Sequence, residues 1–550
     1  MNIKQSVLKM FSLLSLLLCL QVSAQLSTQE VPIGFKYDFS KQELPIVVMP
    51  IVDTIKIREE DAQEEGLGLP PRFGFKHAVN LNLTSAGKRH ILENGDKLYQ
   101  LAIVCPGALS VNLLYDKFWL PDGAKFFIYS QDKKHHIGAF TETNNKGTKD
   151  NIQGFATGLI RGDTIILEYY LPKNSSEDGI ISISGIVHGY KPMALLQYGF
   201  GNVPSWGFGG SNFCQVNINC SEGSNWQNEK RAIALIIIDG ISFCTGTLIN
   251  NTNNDFHPYL LTADHCLDVG AYNAVNNPNL TSWMFYWNYE HSSCSNGSTP
   301  MAFSTAGAKV LTNWQLNGAM INSSDFALLE LTENPTQLSN YTPPFIPYYL
   351  GWDRTGNAPN SGVGIHHPRG DVKKITTYNA PPQIHSTQNY WSIKCSQTIN
   401  GFSCLEPGSS GSPLINSSRR LVGQLLGGDT VNCSTLIQND MSYYGRFSIS
   451  WDRPNSVPTN RLKDWLHPST TSAPNTLDGI MYSSPCTLPP ATFSGTVNTG
   501  TITVRGSSVS ASNATVLPGN KLNLIGCTNI NITGPFTVQS GASFEAKAAP

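Results

Sequence analysis

Apolar and polar positions alternate with a period of two over much of the chain, in short runs broken by turn-forming residues. GAKFFIYS (123–130), HIGAFTET (136–143) and GDTIILEYYLP (162–172) are typical. Side chains of a strand point alternately to its two faces, so these runs predict an all-β module, a sandwich, from Gln25 to about Pro204. The stretch YGFGNVPSWGFGGSN (198–212) is rich in glycine and aromatics and predicts an exposed connection, where proteolytic processing concentrates. From Cys214 to about His467 strand-like runs return, among them RAIALIII (231–238) and RRLVGQLLGG (419–428), and RLKDWL (461–466) carries helical spacing. After Pro468 the composition shifts to Ser, Thr, Asn, Gly and Val. TFSGTVNTGTITVRGSSVSASNATV (492–516) alternates strongly enough for a small β module, with a flexible stalk as the alternative.

One apolar run has a different character. At the N-terminus lysines precede an apolar stretch from Met10 to Leu20, followed by the small residues Val22, Ser23 and Ala24. That order predicts a secretory leader, residues 1–24, cleaved after Ala24. The run falls short of the roughly 20 residues that span a bilayer, and no later segment is apolar for long enough, so no transmembrane segment is expected. The mature protein is expected to be secreted, extracellular or periplasmic.

Composition narrows the picture further. With 550 residues, 40% of them hydrophobic, the chain can fill more than one core, and two or three domains are expected. The 37 basic and 39 acidic residues are mixed along the chain and leave a net charge of −2, which argues against nucleic acid as a partner. Removing Cys19 with the leader leaves eleven of the 12 cysteines for an oxidising compartment, where disulfides are the default and one thiol must stay unpaired.

The candidate chemistry begins at EPGSSGSPL (406–414). A serine hydroxyl is a poor nucleophile unless a base lies within reach and donors await the oxyanion. Gly408 and Gly411 would allow a tight turn at Ser410, with the amides of Gly408 and Ser410 as the donors. YLLTADHC (259–266) offers His265 at the end of a buried-looking strand, and SSDFALLEL (323–331) places Asp325 just before an apolar one. In isolation each has a plainer reading, as a turn, a strand-end histidine and a turn-capping aspartate. Together they stand in the order His, Asp, Ser within one β-rich region, the order of the chymotrypsin-type triad.

These residues also carry a resemblance. CTGTLINN (244–251), LLTADHC, SSDFALLEL, GIHHPRGD (364–371), EPGSSGSPL and YYGRFSISW (443–451) resemble the trypsin-like serine peptidases of the lysyl endopeptidase group, from about Cys214 to Leu466. The resemblance implies a double β-barrel peptidase domain, 209–468, with His265 as general base and acid, Asp325 as its orienter and Ser410 as nucleophile. Gly408 and Ser410 would form the oxyanion hole, and protein or peptide substrate would add as a strand along Gln424, Leu425, Leu426 and Gly427. It further implies the pairs Cys214–Cys433, Cys220–Cys294 and Cys244–Cys266. Spacing alone suggests Cys395 with Cys404, which leaves Cys105, Cys486 and Cys527. The segment 25–208, with GIVHGY (185–190) near its end, resembles the group's pro-regions, and 469–550 would be an appended Ser/Thr/Gly-rich module or stalk.

The chain departs from the group at the specificity pocket. Where the group carries an acid that binds lysine, this sequence has Ser442, and only Asp440, two residues away, offers a replacement. The trypsin solution, an acid six residues before the nucleophile, is Cys404 here, and Leu426 stands where the group has a histidine. No lysine precedes Gly209, so self-processing after lysine is not expected. His366 and His367, adjacent on a strand, would face opposite ways and are not expected to chelate a metal. No cofactor motif is present. The expectation is a secreted, monomeric serine endopeptidase made as a precursor. The alternative is a peptidase-fold binding protein or adhesin that has lost catalysis.

Overall fold

The computed structural model describes residues 24–548 except 28–29, 38–42, 67–68, 192–209, 270–271, 274–278, 297–301, 315–322, 430–432, 434–440, 454–458, 470, 486–487 and 499. The expected leader lies outside the described residues but for Ala24, as do Gly209, Asp440 and Cys486.

The alternating runs of the N-terminal region form two facing sheets. One has the order Phe155–Ala156, Ser110–Trp119, Ile180–Gly189, Gly74–Asn82, and the other Ile46–Val48, Lys97–Val104, Thr164–Leu171, Lys125–Ser130, His136–Phe140. Their inner faces interlock through aromatic rings, with Phe118 stacked on Phe155 at 4.6 Å and edge-on to Phe126 at 5.8 Å. Each such buried ring contributes about 1.5–3 kcal/mol. The expected sandwich is therefore present, with one addition that alternation could not show: a helix at Thr54–Gly66. Asp53 caps it by accepting from the amides of Ile55 (3.2 Å) and Lys56 (3.1 Å), and the run of Glu, Gln and Ala behind that cap favours a helix.

Residues 233–331 close into a barrel. The strands Phe303–Asn313, Asn279–Trp287, Ile233–Ile238, Ser242–Leu248, Tyr259–Ala263 and Phe326–Leu331 pair in that order, and the last pairs back to the first. The strand IALIII explains how this barrel meets the sandwich. Ala234, Ile236 and Ile238 fill the barrel core, while Leu235 and Ile237 face outward into the core of the N-terminal sandwich. Met284 and Tyr286 on the neighbouring strand do the same. An apolar run without alternation is what a strand covered on both faces requires.

A second sheet follows, ordered Lys374–Tyr378, Gly362–His366, Pro413–Asn416, Arg420–Gly428, Met441–Arg446, Tyr390–Lys394, Gln383–Ile384. Its ends are drawn together where Ser396 N donates to Thr377 O at 2.7 Å, which gives the second barrel of the expected pair. The expected helix appears at Leu462–Leu466 and buries both leucines. Beyond it, the strands Ala491–Val497, Thr501–Val516, Lys521–Val538 and Ser543–Ala548 stack in parallel as successive rungs around a small valine and leucine core. The β module is thus the outcome and the flexible stalk is not. It leans on the first barrel, with Arg505 over the Phe256 ring at 4.0 Å and bonded to Asn254 O at 2.8 Å. No helix among the described residues is long and apolar enough to cross a membrane.

Candidate active site

His265 sits on a short 3-10 turn, Asp264–Leu267, directly after the strand Tyr259–Ala263. Its turn is fixed from three sides: Cys266 is bonded to Cys244, Asp264 N donates to Asp325 O at 3.1 Å, and Asn313 Nδ2 donates to Asp264 Oδ1 at 2.6 Å. The Asp325 carboxylate receives the His265 amide on Oδ1 at 2.9 Å and His265 Nδ1 on Oδ2 at 2.7 Å. Asp325 is 0% exposed and His265 4%. Burial disfavours charge on the imidazole, but the Asp325 charge, its hydrogen bond and Asp264 together raise the His265 pKa above the ordinary value.

Asp325 adopts a left-handed conformation, φ 51°, which a short polar side chain tolerates better than most. Ser323 Oγ receives its amide at 3.1 Å, and the carbonyl of Ser324 receives the side-chain amide of Gln424 from the second barrel. The bond from Gln424 couples the aspartate's loop to the strand expected to hold substrate. Sequence reading assigned Gln424 to the substrate strand and could not show this second role, because 100 residues separate the partners.

Ser410 lies on a turn whose two glycines are both required. Gly408 has φ 93° and Gly411 φ 83°, a region where side chains are strained. A Cβ on Gly411 would also collide with Thr262 Oγ1 and the Thr245 carbonyl. The turn therefore packs against the histidine's own strand, and Ser410 O lies 4.0 Å from Cys266 Sγ. Thr245 anchors it twice, its amide donating to Ser410 O at 2.8 Å and its hydroxyl to Gly408 O at 3.0 Å. Gly411 N and Leu425 N complete a reciprocal pair with Leu425 O (2.9 Å) and Ser412 O (2.8 Å). The amides of Gly408 and Ser410 have no acceptor among the described residues, and the Ser410 hydroxyl, partly exposed, has no hydrogen-bond partner among them either.

Other buried groups brace the turn. Glu406 accepts from Asn212 N at 3.1 Å, Gln215 Nε2 at 2.9 Å and Arg369 Nε at 2.8 Å. The last residues of the glycine-rich stretch, 210–212, are thus tied down, with Ser211 Oγ also bonded to Asp371 at 2.6 Å, while 198–209, the rest of the expected exposed connection, lie outside the described residues. His366 Nδ1 pairs with Ser409 Oγ at 2.7 Å and its Nε2 with Thr376 Oγ1 at 3.0 Å. Burial first, and then the Lys374 charge, push its pKa down to about 3, so it stands as a neutral prop. His367 stacks on Tyr289 at 5.6 Å, and its Nδ1 bonds the Asp371 carbonyl at 2.9 Å.

Ser442, expected at the base of the specificity pocket, sits beside a disulfide. Ser442 is buried, with Oγ 3.8 Å from Cys395 Sγ, and Cys395 is bonded to Cys404. Cys214–Cys433 packs against that bridge, and Cys220–Cys294 ties down the entry to the first barrel. Among the three remaining cysteines Cys527 is disulfide-bonded and Cys105 is a free buried thiol, whose pKa burial and then Asp163 push up to about 12. Gly427 opens to free space, with nothing within 4 Å of where a Cβ would stand.

Comparison with known proteins agrees with this reading of the domain. Residues 208–445 match the family model described as lysyl endopeptidase, C-terminal domain. The lysyl endopeptidase of Pseudomonas aeruginosa is 29% identical over 329 residues, which covers 57% of this chain and 66% of that protein, just under two thirds of its length. The resemblance to trypsin-like peptidases of the lysyl endopeptidase group therefore holds across the two barrels. Among solved structures, a Glu endopeptidase in complex with MPD aligns at 21% identity and TM-score 0.24 over 40% of this chain and 85% of its own. A serine endoprotease from Yersinia pestis aligns at 14% and 0.26 over 42% and 63%. Likeness at those scores says nothing of function.

Proposed function

We propose that this chain is a secreted serine endopeptidase made as a precursor, with Ser410 as nucleophile, His265 as general base and acid, and Asp325 as the group that orients the imidazole. The observation that carries the reading is the buried His265–Asp325 pair, 2.7 Å apart, set beside a turn whose serine hydroxyl and neighbouring amides are uncommitted. Ser410 Oγ attacks a peptide carbonyl while His265 Nε2 takes its proton, and Asp325 stabilises the imidazolium. The new C–O bond leaves negative charge on the former carbonyl oxygen, for which Gly408 N and Ser410 N are the available donors. His265 returns the proton to the leaving amine, the C–N bond breaks, and water repeats the sequence on the acyl-enzyme.

Substrate would lie as an extended strand along Gln424 to Gly427, held by backbone hydrogen bonds that do not depend on Leu426. The side chain before the cut would enter the pocket at Ser442. A hydroxyl beside a disulfide offers no counter-charge to a desolvated ammonium, so an uncharged side chain suits it better than lysine. Glu406 does not serve as a substitute acid, since Arg369, Gln215 and Asn212 already engage it. The N-terminal sandwich, 25–208, is assigned as the pro-region and the parallel module after Pro468 as an attachment or targeting element.

The test is a fluorophosphonate probe on the purified protein beside Ser410→Ala, followed by a mixed peptide library read by mass spectrometry. Ser410-dependent labelling with library cleavage supports the peptidase. Folded, processed protein that neither labels nor cleaves would return the reading to a binding protein on a peptidase fold.

A further inference from the structure

The barrel strand Ser242–Leu248 and the residue before it present one backbone edge to the Ser410 turn, and that edge has two occupants. Thr245 N donates to Ser410 O at 2.8 Å. Two residues earlier, Phe243 N donates to Pro71 O of the N-terminal sandwich at 3.3 Å, and Ile241 O receives Phe73 N at 2.7 Å and Gly74 N at 3.3 Å. Arg72 and Ser242 form the antiparallel bridge between these bonds. Backbone groups two residues apart in a strand point to the same side and stand about 7 Å from one another. The sandwich segment and the Ser410 turn are therefore neighbours on one edge. Side chains repeat the order: the fully buried rings of Phe73 and Phe243 lie 6.3 Å apart, and a Cβ on Gly408 would stand 2.5 Å from Phe243 Cε2.

The other side of the turn is open. Leu425 holds it through Gly411 N and Ser412 O, and among the described residues nothing lies within 4 Å of where a Cβ on Gly427 would stand. The turn is held between Leu425 and Thr245, so an extended peptide that lies along 424–427 before the cut continues past Thr245 after it. The next backbone groups it meets are Phe243 N and Ile241 O, both taken by residues 71–74 in the full chain. That segment is latched from behind by the helix Thr54–Gly66, where Arg72 Nε pairs with Asp61 Oδ1 and Glu64 Oε2 at 3.0 Å each. Asp61 Oδ2 also receives Lys191 Nζ at 2.6 Å, and Lys191 is the last described residue before 192–209.

We propose that residues 71–74 are a strap that stands in for the substrate residues on the leaving side of the cut, so that the precursor has those subsites filled and removal of the sandwich uncovers them. The proposal rests on the serine-peptidase reading above and on 25–208 as the pro-region. In the processed peptidase Phe243 N and Ile241 O become backbone anchors for the second and third residues after the cut, added as a strand. An apolar side chain there takes the place of the Phe73 ring against Phe243. Because the strap stops short of Ser410 and of 424–427, the mask is selective. It excludes a substrate with a long leaving peptide and admits one with a small leaving group.

The experiment compares the full-length precursor with the processed peptidase on three probes. These are a fluorophosphonate, a peptidyl anilide whose leaving group fills only the first position after the cut, and a peptide with the same residues before the cut and three after it. Labelling and anilide turnover should agree between the two forms within about threefold, while the precursor should cleave the extended peptide at least about tenfold more slowly, since its backbone bonds to Phe243 and Ile241 cannot form. Arg72→Ala in the full chain should speed amide hydrogen exchange at residues 71–74 and raise extended-peptide cleavage at least about threefold, with the anilide rate unchanged. The proposal is overturned if the precursor slows both substrates alike or neither, if it fails to label while the processed form labels, or if Arg72→Ala opens 71–74 without raising extended-peptide cleavage. Where Arg72→Ala does not fold or does not speed exchange, the comparison of precursor with processed form decides alone. If neither form labels, the peptidase reading fails, and a fluorescent peptide of residues 69–76 decides this one: it should bind the processed protein and not the precursor, and equal binding or none overturns the strap.

Discussion

His265 Nδ1 and Asp325 Oδ2 lie 2.7 Å apart in a site closed to solvent on the aspartate side. Burial opposes the imidazolium and the carboxylate favours it, and the balance raises the His265 pKa. A general base must be neutral, so kcat/KM should rise with pH through a midpoint above the ordinary imidazole value of about 6.5. The linked stability has the opposite slope: the raised pKa contributes fully below about 6.5 and is lost as pH climbs through the folded value. Asp325→Asn should lower the midpoint and cut kcat by roughly 10⁴. A parental pH–rate profile centred at or below about 6.5 would contradict this account.

In the proposed reading Ser442 faces the side chain before the cut. Replacing it with aspartate restores a counter-charge beside the Cys395–Cys404 bridge. Ser442→Asp should shift cleavage toward lysine by at least about tenfold relative to an uncharged side chain, because a buried ammonium then finds its partner. Library cleavage of parent and variant measures the ratio. An unchanged ratio would mean that Ser442 does not face the substrate side chain.

Glu290 is the anion of a buried trio beneath the two barrels. It receives Lys230 Nζ at 2.6 Å and Lys373 Nζ at 3.1 Å, and all three residues are buried. Burial alone would raise the Glu290 pKa, but the two ammonium groups hold it below the usual carboxylate range. Glu290→Gln leaves two desolvated cations without an anion and should cost about 3–5 kcal/mol. Denaturant unfolding compares the two proteins, and a loss under about 1 kcal/mol would show the trio to be solvated.

Acid should weaken the N-terminal sandwich. His188 and His77 approach to 6.4 Å between ring centroids, and both nitrogens of His188 and Nε2 of His77 are buried without a hydrogen-bond partner among the described residues. Burial lowers both pKa values, and for His188 the neighbouring His77 lowers it further against the pull of Asp163. The unfolded chain then binds more protons than the folded one, so stability falls as pH drops below about 6.5 toward the depressed folded values. His188→Leu should flatten that loss in calorimetric scans between about pH 7 and 5. A variant as acid-sensitive as the parent would assign the effect to other groups.

Much of the candidate site was legible because its chemistry is local. A nucleophile turn needs glycines at fixed offsets from the serine, and Gly408 and Gly411 do occupy left-handed positions. A buried orienting carboxylate needs a short polar residue ahead of an apolar strand, and Asp325 stands there at 0% exposure. The helix Thr54–Gly66 was missed because a period of two was carried across it, although Asp53 and the glutamates after it mark its start. The contacts of Thr245, Gln424 and Phe243 were not legible at all. Their partners lie 163, 100 and more residues away, and no spacing rule reaches across a sheet.

By itself, then, the order of residues determined the all-β class and the identity of three chemically suited side chains. These have local causes: strand periodicity, backbone freedom at glycine, and the few residue types that can act as nucleophile, base and orienter. Only the tertiary structure decided that the apolar strand IALIII is covered on both faces, that Cys105 is a free thiol among the described residues, and that Phe73 of the sandwich packs against Phe243 beside the Gly408 turn. Those outcomes depend on which surfaces meet when separate sheets bury their remaining apolar faces, and that is settled by packing across the whole chain.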